Sequence, residues 1–222
     1  MKKTIEEHAE RFDDIAAEYD DDETPEYNDC VALVVEHAAP GSDDTVLDLG
    51  CGTGAIALAL AEDAERVVGR DISEGMMDEA RRKAEERGLD NVEFEKGTFR
   101  EPNIEDEGDI DVVTSNFAMH HLSNDEKREA IGVIADLAPQ KIVLGDVMLF
   151  ASADPDEPFY SPEVDDPATV GVLADAFTDE GYALTAIERV HDQVGVLVAE
   201  RAVGAADLEG IDADIESGDH ES

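Results

Sequence analysis

The segment Val46-Leu47-Asp48-Leu49-Gly50-Cys51-Gly52-Thr53-Gly54 constrains this chain more than any other. An apolar, strand-forming run ends in three glycines on alternate positions, and a helical pattern begins at once with Ala55. A residue without a Cβ can take positive φ and let a ligand lie against bare backbone. The helix that follows offers unpaired N–H groups and the positive end of its dipole. Such a loop suits an adenosine-bearing ligand, and the strand–loop–helix order belongs to alternating α/β folds.

The rest of the chain repeats that alternation. Apolar runs predict strands over 45–49, 66–71, 92–95, 111–115 and 141–149, then a closing hairpin over 183–189 and 194–200. Helices are expected from Ala55, from a Ser73 cap to Gly88, from the Ser123-Asn124-Asp125-Glu126 capping box, and from Asp166-Pro167 to Gly181. Ahead of them, Ile5, Phe12, Ile15 and Tyr19, then Val31, Val34 and Val35, recur at helical spacing on either side of Thr24-Pro25. The expected organisation is an N-terminal helical cap over 1–40, one α/β domain over 41–202, and an acidic, disordered tail over 203–222. Alternation of this kind gives a mostly parallel sheet covered on both faces, with ligands at the carboxyl ends of the strands.

Charge narrows the setting. Asp and Glu number 58 against 16 Lys and Arg, a formal net charge of −42. Apolar periodicity makes disorder a poor reading for most of the chain. The acid is spread over the whole length, as in haloarchaeal cytoplasmic proteins, which the composition resembles. Molar salt shortens the Debye length to about 3 Å and relieves the self-repulsion. The acidity disfavours a nucleic-acid partner without deciding against one, because in an acidic proteome the sign of charge carries little information. The basic cluster Arg81, Arg82, Lys83 and Arg87 is interleaved with Glu79, Glu85 and Glu86 and reads as a solvated helix face with i,i+4 pairs. Cys30 and Cys51 form no disulfide framework or CxxC metal pair. The expectation is a cytoplasmic protein with no membrane segment and no signal peptide.

Gly50-x-Gly52-x-x-Ala55, with Asp71 about 20 residues on, also satisfies a loose dinucleotide fingerprint. Three features turn the choice away from NAD. Asp48 would repel a pyrophosphate and suits a cationic ligand, Gly54 adds a third alternate glycine, and a hairpin closes the sheet where a second mononucleotide-binding half would stand.

On these residues the chain resembles the class I S-adenosylmethionine-dependent methyltransferases of small-molecule type, over roughly residues 10–201. The resemblance implies a Rossmann-like, doubly wound, seven-stranded sheet of order 3-2-1-4-5-7-6 with the last strand antiparallel. It implies S-adenosyl-L-methionine as cofactor. Asp48, Gly50, Gly52 and Gly54 match positions holding its methionine part, and Asp71 matches the acid on the ribose hydroxyls. Ile72 matches the apolar residue against adenine, with Met76 and Met77 nearby. In Thr98-Phe99 the threonine departs from the acid that relatives often place against the adenine amino group, although its hydroxyl can still accept. Asn116 matches a residue beside the methionine carboxylate or methyl group, and Tyr19 an aromatic covering the cofactor.

The same resemblance makes the acceptor an unidentified small molecule. The Asn116 loop lacks the Asn-Pro-Pro-Tyr motif of base- and glutamine-methylating relatives. Transfer from a sulfonium needs positioning above all, and a base only where the acceptor must lose a proton. His121 is the candidate base, with His120 and His191 behind it. No third donor at metal spacing is visible, so no metal is expected. The loop 154–162, with Phe159 and Tyr160, is a candidate acceptor wall. Rival readings are an interaction module that has lost catalysis, an RNA methyltransferase, and an NAD-dependent oxidoreductase, which would need a catalytic pair that is not evident here.

Overall fold

The computed structural model of the chain describes residues 4–22, 24–104, 110–150 and 158–202. Among these, α1 (Ile5–Ile15) runs into a 3-10 helix (Ala16–Asp22) and is followed by α2 (Pro25–Ala38). Then come β1 (Thr45–Leu49), α3 (Ala55–Leu60), β2 (Arg66–Asp71), α4 (Glu74–Arg87), β3 (Val92–Lys96) and β4 (Val112–Asn116). A short 3-10 turn (Met119–His121) leads to α5 (Asn124–Asp136), β5 (Lys141–Val147), α6 (Val170–Asp179), β6 (Tyr182–His191) and β7 (Val194–Arg201). The seven strands form one sheet in the order β3-β2-β1-β4-β5-β7-β6. Strands β1 to β5 pair in parallel, whereas β7 runs antiparallel to both β5 and β6. The sheet is the one expected from the resemblance, with its antiparallel strand supplied by the terminal hairpin.

Side-chain alternation explains why both faces are covered. Val46, Val67, Val143 and Val196 point to one side, where they meet Cys30 and Val34 of α2, Ile56 of α3 and Met77 and Ala80 of α4. Leu47, Val68, Ile142, Leu144 and Leu197 point to the other, against Ile131 and Ile134 of α5 and Leu173 and Phe177 of α6. A strand buried on both faces is apolar along most of its length, as β1 and β5 are, whereas β4 turns polar at Thr114, Ser115 and Asn116 where it reaches the carboxyl end of the sheet.

The expected cap over 1–40 divides in two. Helix α2, capped by the Thr24 hydroxyl and opened by Pro25, buries Cys30, Val34 and Ala38 completely and packs on β4, β5 and β7. It therefore belongs to the main layer, and only α1 and its 3-10 extension lie over the carboxyl ends of the strands. The last crossover helix also differs: it starts at Val170 under a Thr169 cap, not at Asp166-Pro167. Ala168 and Thr169 stay extended because Leu149 bridges Thr169, donating its N–H to Ala168 O and accepting from Val170 N. The proposed acidic tail, 203–222, lies outside the described residues. No helix among the described residues is long and apolar enough to cross a membrane.

Candidate functional site

A cavity of about 230 Å3 opens at the carboxyl ends of β1, β2 and β4. One water needs only ~10–15 Å3 on that measure, so the space is of ligand size. Its floor is the glycine loop, where Gly50, Gly52 and Gly54 all take positive φ (69°, 53° and 88°). Arg70 O at the end of β2 accepts from both Gly50 N (2.8 Å) and Cys51 N (3.1 Å), which pins the loop to the sheet. A Cβ on Gly52 would meet nothing within 4 Å, so bare backbone faces the open cavity there. Gly54 plays a different part from the one expected. It lies outside the cavity wall, and a Cβ on it would crowd Ala80 and Leu58 at 3.1 Å, so it serves the turn into α3 and the approach of α4.

Three polar side chains converge on this floor. Asp71, closing β2, accepts from Gly52 N (2.9 Å) and Ser73 N (2.8 Å) through separate carboxylate oxygens. The Ile72 N–H also acts on this carboxylate, which still keeps acceptor capacity for a ligand. Burial raises its pKa in spite of those backbone N–H groups. Asp48 accepts from the Thr114 hydroxyl at 2.9 Å through Oδ1, while buried Oδ2 makes no hydrogen bond. Burial pushes its pKa up to about 7, against the opposing pull of Thr114 and the Ala57 N–H. Asn116, closing β4, leaves both its buried amide atoms unbonded. It fits only because residue 145 on β5 is glycine; a Cβ there would stand 2.4 Å from Asn116 Oδ1.

Buried polar atoms without partners are rare enough to need a cause, and a polar ligand supplies one. The donor set fits an adenosyl amino acid. A carboxylate on a short strand end suits two vicinal hydroxyls, and Asp48 with Asn116 suits an ammonium, a sulfonium and a carboxylate. Ile72, Thr98, Phe99 and Met76 line the adjoining wall, whereas Met77 is wholly buried in the core behind it. Thr98 Oγ1 already accepts from Glu101 N at 2.9 Å, so its hydroxyl proton and second lone pair remain for a ligand.

The roof comes from the N-terminus. Ile5, His8, Phe12 and Tyr19 all line the cavity, and Tyr19 meets Phe12 edge-on at 6.4 Å. Two latches hold this segment down. Asp13 accepts from Ser73 Oγ (2.6 Å) and Gly75 N (2.9 Å) at the start of α4, which lowers its pKa. Asp20 accepts from Thr53 Oγ1 at 2.6 Å and pairs with Lys83, which also donates to Thr53 O. Lys83 thus leaves the basic cluster for the roof, while Arg82 makes the expected helix-surface pairs with Glu79 and Glu86.

The two histidines after β4 occupy different places. His121 lines the cavity; His120 is buried beside it. His120 Nδ1 lies 2.6 Å from Asp146 Oδ1 and His121 Nδ1 lies 2.8 Å from Asp165 Oδ1. Burial works against a charge on His120, but contact with Asp146 outweighs it and raises the pKa. On His121 burial and the neighbouring His120 prevail over Asp165, and the pKa falls. Sequence inspection offered no third donor to these histidines, yet the fold brings Asp165 in, so that His120, His121 and Asp165 present ligand atoms within 4.8 Å of one another. Within the cluster His121 Nδ1 stands at N–H···O distance from Asp165 Oδ1, 2.8 Å, and His120 Nε2 lies 3.9 Å from the same oxygen.

His191 lies away from the cavity wall, its Nδ1 accepting from Gln193 N and its ring 5.5 Å from Phe159. Phe159 and Tyr160 do not line the cavity either. Phe159 packs behind Phe117, centroid to centroid at 6.4 Å, and residues 151–157 of that loop lie outside the described residues. Missed from sequence were Asp165, His8, Phe117 and Tyr27. Nothing marks Asp165 among 58 acids, and it lies 44 positions from its partner histidine.

Residues 46–139 match the family described as a methyltransferase domain. This segment is thus similar to methyltransferase domains. Over 129 residues the chain is 30% identical to the uncharacterized methyltransferase YcgJ of Bacillus subtilis, covering 58% of this chain and 50% of that protein. Over 150 residues it is 32% identical to an uncharacterized methyltransferase of a Geobacillus species, covering 66% and 64% of the two chains. The matches thus span less than two thirds of either relative. The fold is that of a solved SAM-dependent methyltransferase from Aquifex aeolicus, which superposes with a TM-score of 0.66 at 21% identity, over 84% of this chain and 97% of that one.

Proposed function

We propose that this protein transfers a methyl group from S-adenosylmethionine to a small molecule. One observation carries the reading: Asp48 Oδ2 and the Asn116 amide are buried without partners in the same cavity where Asp71 braces the bare backbone of Gly52. Asp71 would hold the ribose hydroxyls, Asp48 and Asn116 the amino-acid end, Ile72 and Phe99 the adenine faces, with Thr98 at the adenine edge and Tyr19 above. The cofactor supplies an electrophilic methyl group. The chain's own residues orient it, exclude water beneath the α1 roof and present the acceptor.

A buried carboxylate at the turn opposes an NAD pyrophosphate, which argues against the oxidoreductase. The N-terminal segment lays Ile5, His8, Phe12 and Tyr19 on the cavity, a mostly apolar cover that favours a small acceptor over RNA. A carboxylate-rich surface of net charge −42 leads us to propose molar salt as the working medium. Calorimetric titration in molar KCl with S-adenosylmethionine, S-adenosylhomocysteine and NAD in parallel tests the reading. Micromolar binding of the two sulfur ligands and none of NAD is expected. Binding of NAD alone, or of nothing, removes the proposal and promotes an interaction module.

A further inference from the structure

The cavity holds a second constellation that cofactor binding does not use. Asp165 is fixed from three sides: Ser161 N donates to Oδ2 at 2.8 Å, the ring of His121 meets Oδ1 at 2.8 Å, and its own N–H donates to Ser161 O at 2.9 Å. The following residue is fixed as well, since Asp166 N donates to His120 O at 2.8 Å and Lys127 Nζ donates to Asp166 O. The connection before α6 is thereby stitched to the turn that carries both histidines, and Asp165 cannot drift from His121. A carboxylate held this way accepts a hydrogen bond from Nδ1–H and so selects one tautomer of the ring. Nε2 of His121 makes no hydrogen bond among the described residues, and the ring belongs to the cavity wall.

Aromatic groups surround that ring. His8 and Phe12 of the roof stand 4.9 and 5.9 Å from it, centroid to centroid, and Tyr27 packs edge-on to Phe117 at 5.3 Å on the same cavity. Flat apolar walls favour a planar guest by offset or edge-to-face contact. A basic nitrogen set among them has a use only if that guest must give up a proton. A neutral amine attacks through a lone pair it already has, and a thiol is readily ionised. A hydroxyl on a planar ring is the acceptor that gains most from a base.

From this geometry we infer that the acceptor is a planar, ring-hydroxylated molecule, that His121 Nε2 removes its hydroxyl proton, and that Asp165 is the positioning residue that keeps His121 in the Nδ1–H tautomer. The inference rests on the transfer reading above. In the step, the acceptor oxygen forms a bond to the methyl carbon as the sulfur–methyl bond breaks, its proton passes to Nε2, and the sulfur leaves with the bonding pair as a neutral thioether. Asp165 stays ionised and balances the imidazolium, which releases its proton to solvent. His120, hydrogen-bonded to Asp146 on its far side, separates this pair from the core. The groups facing His121 are His8 from α1, His120 from its own turn, and Asp165 before α6, with Asp146 of β5 and Lys127 of α5 behind His120.

Asp165→Asn separates this role from a structural one. Ser161 N still demands an oxygen, which turns the new amide nitrogen toward His121 Nδ1. That nitrogen must then accept, so the ring proton moves to Nε2 and the base is lost. The experiment records 15N-histidine spectra of the full chain with S-adenosylhomocysteine in molar KCl, for the wild type and Asp165→Asn, and measures binding of that ligand to both. The expected result is an Nδ1–H ring for wild-type His121, an Nε2–H ring in the variant, and dissociation constants within about twofold. An Nε2–H wild-type ring, or one unmoved by the substitution, overturns the inference. Labelled S-adenosylmethionine is then offered with phenol, catechol, aniline and thiophenol. Label should enter the hydroxylated members and fall by about 10²–10⁴-fold in Asp165→Asn and His121→Ala. Label confined to the amine or thiol, or no label at all, overturns the acceptor class. Failure of the wild type to bind S-adenosylhomocysteine sinks the transfer reading itself, which is a different outcome.

Discussion

Replacing Asp48 by asparagine should make the ligand-free protein more stable, and by an amount that depends on pH. The folded carboxyl has a pKa of about 7 against the ordinary 3.8, because burial penalises its charge more than Thr114 and Ala57 relieve it. For a group whose folded pKa lies above its unfolded one, the stability it contributes is full below the unfolded value and is lost as pH rises through the folded value. A rise from 3.8 to about 7 corresponds to roughly 4 kcal/mol, at ~1.4 kcal/mol per pH unit. This is an upper figure, since a deeply buried carboxylate relaxes with its surroundings. Asparagine keeps the acceptor for the Thr114 hydroxyl and carries no charge. Thermal unfolding in molar KCl should therefore show Asp48→Asn more stable by ~2–4 kcal/mol at pH 8, or on the order of 5–15 °C, with the gap closing toward pH 4. The same carboxyl should ionise fully beside a cationic ligand. Binding of S-adenosylmethionine at pH 6 should then release close to one proton, seen as a dependence of the calorimetric enthalpy on the buffer, and the variant should bind more weakly without that release. A variant that is less stable at pH 8, or a stability difference that ignores pH, would refute the reasoning.

Three further outcomes are expected. Asp71→Ala should weaken S-adenosylhomocysteine binding by about 10²-fold or more, since hydrogen bonds to a charged group contribute ~1.5–3 kcal/mol each; it should also lower the melting temperature, because Gly52 N and Ser73 N lose their acceptor. Unchanged affinity in a titration removes the ribose assignment. Asp13→Ala unlatches the roof from Ser73 and Gly75 and should speed amide exchange over residues 5–22 while the sheet keeps its protection. Equal exchange in both proteins denies the latch. Raising KCl from 0.1 to 3 M should raise the melting temperature of the wild type, as screening relieves a net charge of −42; a flat or falling curve rejects the salt-adapted reading.

Much of the fold was legible along the chain because its signals are local. Short apolar runs, the Ser73 and Ser123 caps and Gly88 at positive φ each report on a few neighbouring residues, and the elements they mark stand where expected. Helix α6 was misplaced for the opposite reason. Asp166-Pro167 carries a helix-start pattern, but the bridge from Leu149 to Thr169 holds the chain extended up to Thr169. The division of the N-terminal helices was hidden too, since α2 and α1 are both amphipathic and only the buried partners of Cys30 and Val34 reveal which of them belongs to the core.

The sequence by itself determined the glycine loop, the strand acids Asp48 and Asp71, and Asn116, because each is tied to its strand by a fixed offset. Tertiary structure alone decided that Gly54 shapes a helix junction, that Gly145 makes room for Asn116, and that Asp165 reaches His121 across 44 residues. Those are contacts between distant segments, and a chain with 58 acids offers no local mark by which one of them could be chosen.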